Sequence, residues 1–188
     1  MGYSNTASVG GGIAIGQNNV ANSGGSAGNT MIAIGRQNEA TAQDTVAIGR
    51  EAKAKNDLSM AIGNRTEATA NAAIAIGTNG APDANGTAYK TTASGFAAVA
   101  IGMQANSSGA ASTAVGGKSS ATAASASAYG REANASAESA TALGHKATAN
   151  LKDGVALGSN SVTSIDKGVK GYNPAEDRDN KYGGLAGT

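Results

Sequence analysis

Hydrophobic positions in this chain follow neither a helical spacing nor a single long run. They come as a four-residue word, bulky-Ala-bulky-Gly, that recurs ten times between Ile13-Ala14-Ile15-Gly16 and Val155-Ala156-Leu157-Gly158. Seven of the nine steps between successive glycines are 14 residues, and the two exceptions, of 19 and 25, are insertions. A fixed short period of this kind is the signature of a solenoid. Within the word, alternation with period two sets the two larger side chains on one face of a strand and Ala on the other. Three and five residues after the Gly a second pair of small residues follows, as in Ala52 and Ala54, Thr66 and Ala68, Ser119 and Ala121, and Ala133 and Ala135. One 14-residue coil is therefore expected to hold two strands of about four or five residues and two tight turns.

Helix is the competing assignment for alanine-rich sequence, because Ala has the best intrinsic helix propensity. Gly in every repeat costs roughly 1 kcal/mol per copy inside a helix, and no heptad spacing of apolar residues accompanies it. Composition then changes the picture. Ile, Leu, Val and Phe together make only 24 of the 188 residues, a level usual in disordered chains. Net charge is only +1, whereas disorder couples low hydrophobicity with high net charge. A chain with a strict period folds, but Ala, Ser and Gly can fill only a thin interior. The larger Ile, Val and Leu side chains are then left as a continuous stripe on an outer face, the kind of patch that marks association. Ten coils at about 4.8 Å each give a rod on the order of 50 Å long.

The copies of bulky-Ala-Ile/Leu-Gly at this spacing have alanine-rich second halves such as Arg131-Glu132-Ala133-Asn134-Ala135. With the run from Gly154 to Val162, they resemble the head repeats of trimeric autotransporter adhesins, the YadA-like class. The resemblance covers roughly residues 10 to 165. It implies an all-β fold, a left-handed parallel β-roll with 14-residue coils assembled as a homotrimer, on a bacterial cell surface. Ile15, Ile34, Ile48, Ile62, Ile76, Ile101, Leu143 and Leu157 are then the expected trimer interface. The implied function is attachment to a host matrix protein (collagen, fibronectin or laminin) or to a host receptor such as a carcinoembryonic-antigen-related adhesion molecule. The alternative is a structural spacer of a surface fibre with no receptor site of its own. Neck motif, coiled-coil stalk and C-terminal membrane anchor are not found in the sequence, so the chain reads as an excised piece whose membrane attachment would come through a missing anchor. Residues 1–165 form the expected head, and 166–188, which break the period, are expected to be an insertion or a linker.

Loops on a rigid scaffold often carry recognition, which points to the insertions near 20–30 and 78–92. The longer contains the turn signal Asn85-Gly86. Asp83, Asn85, Tyr89, Lys90 and Phe96 are the candidate receptor-binding residues there, Tyr and Phe being favoured interface aromatics. Charges follow each Gly, from Arg36, Arg50 and Arg65 to Lys118, Arg131, His145 and Lys146, with Glu51, Glu67 and Glu132 close behind. Stacked coils should set these in ladders that solvate the outer surface and contribute about 0 to 1 kcal/mol per exposed pair. Net charge near zero gives no footprint for nucleic acid. With no cysteine and His145 as the sole histidine, no nucleophile-base pair or zinc set can be recognised, so no enzyme activity and no cofactor is expected. The stretch from Ser112 to Ser119 brushes a phosphate-loop pattern but lacks its first Gly and the helix that should follow.

Overall fold

The computed structural model describes residues 2–7, 11–24, 29–79 and 90–164. Among them there is no helix, and every strand pairs in parallel with the strand one coil away. An 11-stranded sheet and a 10-stranded sheet alternate along the chain, so each coil gives one strand to each. The result is a parallel β-solenoid whose register follows the repeat: Ala75 pairs with Ala61 on one side and with Ala100 on the other.

The thin interior expected from composition is what forms. Ala33, Ala47, Ala61, Ala75 and Ala100 of the first sheet are fully buried, as are Ala40, Ala54, Ala68 and Ala93 of the second. Two sheets can approach this closely only where both inner faces carry methyl groups. The core is a column of alanines rather than a cluster of large side chains.

Second strands are shorter than expected. They hold two residues each, for example Lys53–Ala54 and Glu67–Ala68. The buried third residue after the Gly belongs to a turn, because the residue before it adopts left-handed backbone angles, as Glu51 does at φ 56°. A matching left-handed residue stands seven positions later, Leu58 at φ 60° in the same coil. The two turns of a coil are thus built alike, and the strands occupy only what lies between.

First strands run six residues at the N-terminal end (Met31–Arg36, Thr45–Arg50) and three toward the C-terminal end (Val99–Ile101, Thr141–Leu143). The cause is the third residue after the Gly. Where it is Ala105, Ala133 or Ala147, its N–H turns back to the glycine carbonyl at 3.2–3.3 Å and closes the turn, ending the strand. In the N-terminal coils a buried asparagine intervenes. Asn38 Nδ2 donates to the Gly49 carbonyl at 2.8 Å, to the Ile34 carbonyl at 2.9 Å and to Asn19 Oδ1 at 2.9 Å. Its own Oδ1 accepts from the Ala52 N–H at 2.9 Å. Asn19 repeats the arrangement with Asn5. This internal asparagine ladder leaves the strand free to continue past the Gly as far as Arg50; in the next two coils Thr66 and Thr91 hold the position, and the strands Met60–Asn64 and Ile74–Thr78 likewise run one residue past the Gly.

The structure also places a coil before the first bulky-Ala-bulky-Gly word. Gly2–Tyr3 pairs with Gly16 and Gln17, and Thr6–Ala7 with Val20 and Ala21. Its signal is the second half of a repeat, Asn5 and Ala7 standing 14 residues before Asn19 and Ala21. Val20 and Ala21 themselves are ladder residues, so the shorter insertion lies beyond them.

Candidate interaction surfaces

The outer face of the first sheet carries the apolar stripe. Ile15, Ile34, Ile48, Ile62, Ile76 and Ile101 are cross-strand partners in one unbroken column. The column continues through Val115 and Tyr129 to Leu143 and Leu157. A second column stands beside it, two residues earlier in each coil: Ile13, Ile32, Val46, Met60, Ile74 and Val99. Sequence reasoning placed both larger residues of each word on this face but named only one per coil for the interface. Middle members such as Ile48 and Ile62 are half-buried by their stacked neighbours, whereas Ile15 remains 47% and Leu157 70% exposed. In the second column Thr113, Ser127 and Thr141 replace the larger apolar residues, so the stripe narrows toward the C-terminal coils.

The outer face of the second sheet is polar and changes character along the rod. Its N-terminal part is an ion-pair ladder. Glu39 meets Lys55 at 3.2 Å and Lys53 at 3.7 Å, and Glu67 meets Lys90 at 2.5 Å. From Thr92 onward the outward positions carry hydroxyls and amides without charge, as at Asn106, Ser108, Ser120, Thr122 and Asn134.

Two turn edges separate these faces. The edge just after each Gly holds Arg36, Arg50, Arg65, Lys118, Arg131 and Lys146. Arg65 Nε donates to Glu51 Oε2 at 2.7 Å across one coil step, and Arg50 reaches the other Glu51 oxygen at 2.9 Å. The hydrogen bond from Arg65 outweighs the partial burial of Glu51 and holds its carboxyl below the usual value of 4.5. Arg131 does the same for Glu132, with Lys146 and His145 adding attraction. Among the described residues Arg36 and Lys118 make no ion pair. The opposite edge carries Asp44, Asp57, Glu138 and Asp153 with Lys152, whose ammonium is held above its usual range by Glu138 at 2.9 Å. Exposed Leu58 and Phe96 also stand on this edge, 61% and 64% accessible.

Of the candidate receptor residues, Asp83, Asn85 and Tyr89 lie outside the described residues. Lys90 returns the chain to the ladder beside Glu67, next to the edge that follows the glycines. Phe96 lies across the coil on the acidic edge, so Lys90 and Phe96 do not share a patch. His145 is exposed in a turn, and no group of three or more His, Cys, Asp or Glu residues suited to a metal ion occurs among the described residues.

A rod with an alanine interior, one long apolar outer face and one polar outer face is a parallel β-solenoid of the kind built for association. Family comparison makes the class specific: the YadA head domain repeat, described as two copies, matches residues 32–52, 54–79, 93–119 and 135–161, and the chain belongs to that family. Such heads are adhesin-type modules of surface-exposed bacterial autotransporter adhesins. No individually curated protein matches the chain.

Proposed function

We propose that this chain is the head of a trimeric adhesin that attaches a bacterium to host matrix or to a host cell-surface receptor. The observation that carries the reading is the paired apolar column from Ile13 and Ile15 to Val155 and Leu157, partly exposed along the whole rod. Burial of such residues stabilises association by about 25 cal/mol per Å² of apolar surface. Three protomers turning their first sheets toward a common axis would cover both columns, with Ile15, Ile34, Ile48, Ile62, Ile76, Ile101, Leu143 and Leu157 at the interface. Each roll would be left-handed, as in the family. The polar second sheet would then form the outside of the fibre. The insertion before Lys90 is the candidate for receptor contact, since it is the longer of the two interruptions of the 14-residue period. Affinity would come from repeated weak contacts multiplied by linked protomers.

The test begins with light scattering after size exclusion, with circular dichroism on the same peak. A β-rich trimer is expected, and Ile62→Asp with Ile76→Asp should convert it to smaller species. A folded monomer, or a double variant that remains trimeric, refutes the interface. Binding to immobilised collagen, fibronectin and laminin, with and without residues 80–89, tests the adhesive part. Loss on trimming supports a receptor site in the insertion; no binding by either form leaves the module as a spacer.

A further inference from the structure

The two turn edges differ in charge, and the difference is organised by height. Among the described residues, six cations on the edge after the glycines face two carboxylates, Glu51 and Glu132, both already in ion pairs. On the opposite edge, among the same residues, four carboxylates accompany a single cation, Lys152. Four of the six cations have a carboxylate on the opposite edge of their own coil, while Arg65 and Lys118 stand level with the uncharged turns at Asn71 and Ala124, one coil from Asp57 and Glu138. Arg36 and Arg50 stand on the coils that carry Asp44 and Asp57 on the other side. In the middle, Met103 and Gln104 on one edge lie level with Phe96, Ala110 and Ala111 on the other, all uncharged. Toward the C-terminal end Arg131 and Lys146 are matched in height by Glu138 and Asp153.

We propose that the basic edge of one protomer docks on the acidic edge of a second copy, in parallel and in register, as an electrostatic seam that fixes the orientation of assembly. This rests on the reading that first sheets face a common axis. When flat rods arranged in parallel around an axis turn the same face inward, each corner brings one protomer's leading edge against its neighbour's trailing edge, a head-to-tail contact that closes into a ring. Here four of the six cations would meet a carboxylate at their own height, and Arg65 and Lys118 would meet one a single coil away. Antiparallel packing through the same apolar faces, about a two-fold perpendicular to the rod, lays each edge on its own counterpart. Basic would meet basic and acidic would meet acidic. The apolar stripe, made of similar residues along most of its length, discriminates poorly between the two orientations; the edges discriminate strongly, since like-charge juxtaposition disfavours the wrong partner. Phe96 and Met103 would meet between the charged zones, covering the exposed Phe96 ring.

The test is subunit exchange between mass-tagged copies of the full chain, followed by native mass spectrometry. Arg36→Glu with Lys118→Glu reverses charges on one edge at positions with no ion pair to lose among the described residues. Exchange is expected to quicken about tenfold or more, the equivalent of 1.4 kcal/mol or more lost from the seam. Adding Asp44→Lys and Glu138→Lys reverses two carboxylates of the other edge and should restore slow exchange, while this four-position variant should mix more slowly with the original than the original does with itself. Asp44→Asn, which keeps an oxygen to accept the Thr30 N–H, controls for local folding. Unchanged exchange in the single-edge variant, or mixing of the original with the four-position variant as fast as with itself, overturns the seam. If Ile62→Asp with Ile76→Asp dissociates the assembly while edge reversal does nothing, the seam fails and the apolar-face reading stands. An original chain that is monomeric at every salt concentration overturns both.

Discussion

Replacing Asn38 by Ala tests the asparagine ladder, and the structure sets the size of the effect. The side chain is fully buried and has four hydrogen-bond partners, its two amide protons being shared among Asn19, Ile34 and Gly49 while its oxygen accepts from Ala52. At about 1 kcal/mol net for each of two protons and one accepted bond, their loss costs about 3 kcal/mol. Part of this returns by relaxation. With Asn38 gone, the Ala52 N–H can turn back to the Gly49 carbonyl, as the Ala105 N–H does to Gly102 at 3.3 Å. That recovers one bond and leaves about 2 kcal/mol. Asn38→Thr should cost less, because Thr91 at the equivalent position donates its hydroxyl to the Gly102 carbonyl at 2.6 Å. Urea unfolding followed by circular dichroism gives the overall loss. Hydrogen exchange at the Ala52 and Glu39 amides locates it, since a solenoid opens locally and each coil depends on its neighbours. A loss under about 1 kcal/mol, or exchange that quickens equally in the C-terminal coils, would refute the ladder as a source of stability.

Other outcomes follow from the same geometry. Among the described residues the buried Thr66 hydroxyl has no partner, so Thr66→Val should be neutral or stabilising by up to about 1 kcal/mol in thermal unfolding; clear destabilisation would reveal a bond to that hydroxyl. Gly63 has φ 129°, and a Cβ there would stand 1.7 Å from the Gly77 carbonyl oxygen, so Gly63→Ala should destabilise by about 3 kcal/mol or more, or split the sheet at that step. Glu51 and Glu132 have carboxyl pKa values lowered in the folded chain, so their contribution is complete above 4.5 and is lost as pH falls through the lowered values. Melting temperature should drop on that acid limb, and Glu51→Gln should flatten it; an unchanged limb would show that these exposed pairs contribute nothing measurable.

The solenoid was legible because its signal is redundant. Ten copies of one word fix the period, the face on which Ala lies and the face on which Ile lies. Strand length was not legible. It depends on whether the third residue after the Gly sends its N–H back to that glycine or to an asparagine above, and Ala52 and Ala105, the same residue type at the same repeat position, do opposite things. The asparagine ladder was missed because Asn in a Gly-rich context reads as a turn residue. Periodicity at 14, applied to Asn5, Asn19 and Asn38 with the 19-residue step allowed for, would have aligned them. The charge of the two edges was hidden for a related reason. Basic residues after each Gly form an obvious series, whereas Asp44, Asp57, Glu138 and Asp153 alternate between two positions of the other turn and align only once the coil is closed.

Hydrogen bonds between neighbouring coils run along the rod, as parallel ladders require, and this fixes how the fibre would respond to load. Tension along the axis pulls those bonds lengthwise, one ladder step at a time, instead of shearing many at once. Coils would therefore peel from an end in sequence, each freeing 14 residues and lengthening the tether by about 40 to 45 Å beyond the 4.8 Å it spanned when stacked. A head of this construction is a stack of small shock absorbers, and a partner that buries the apolar face would set the force at which the first one yields.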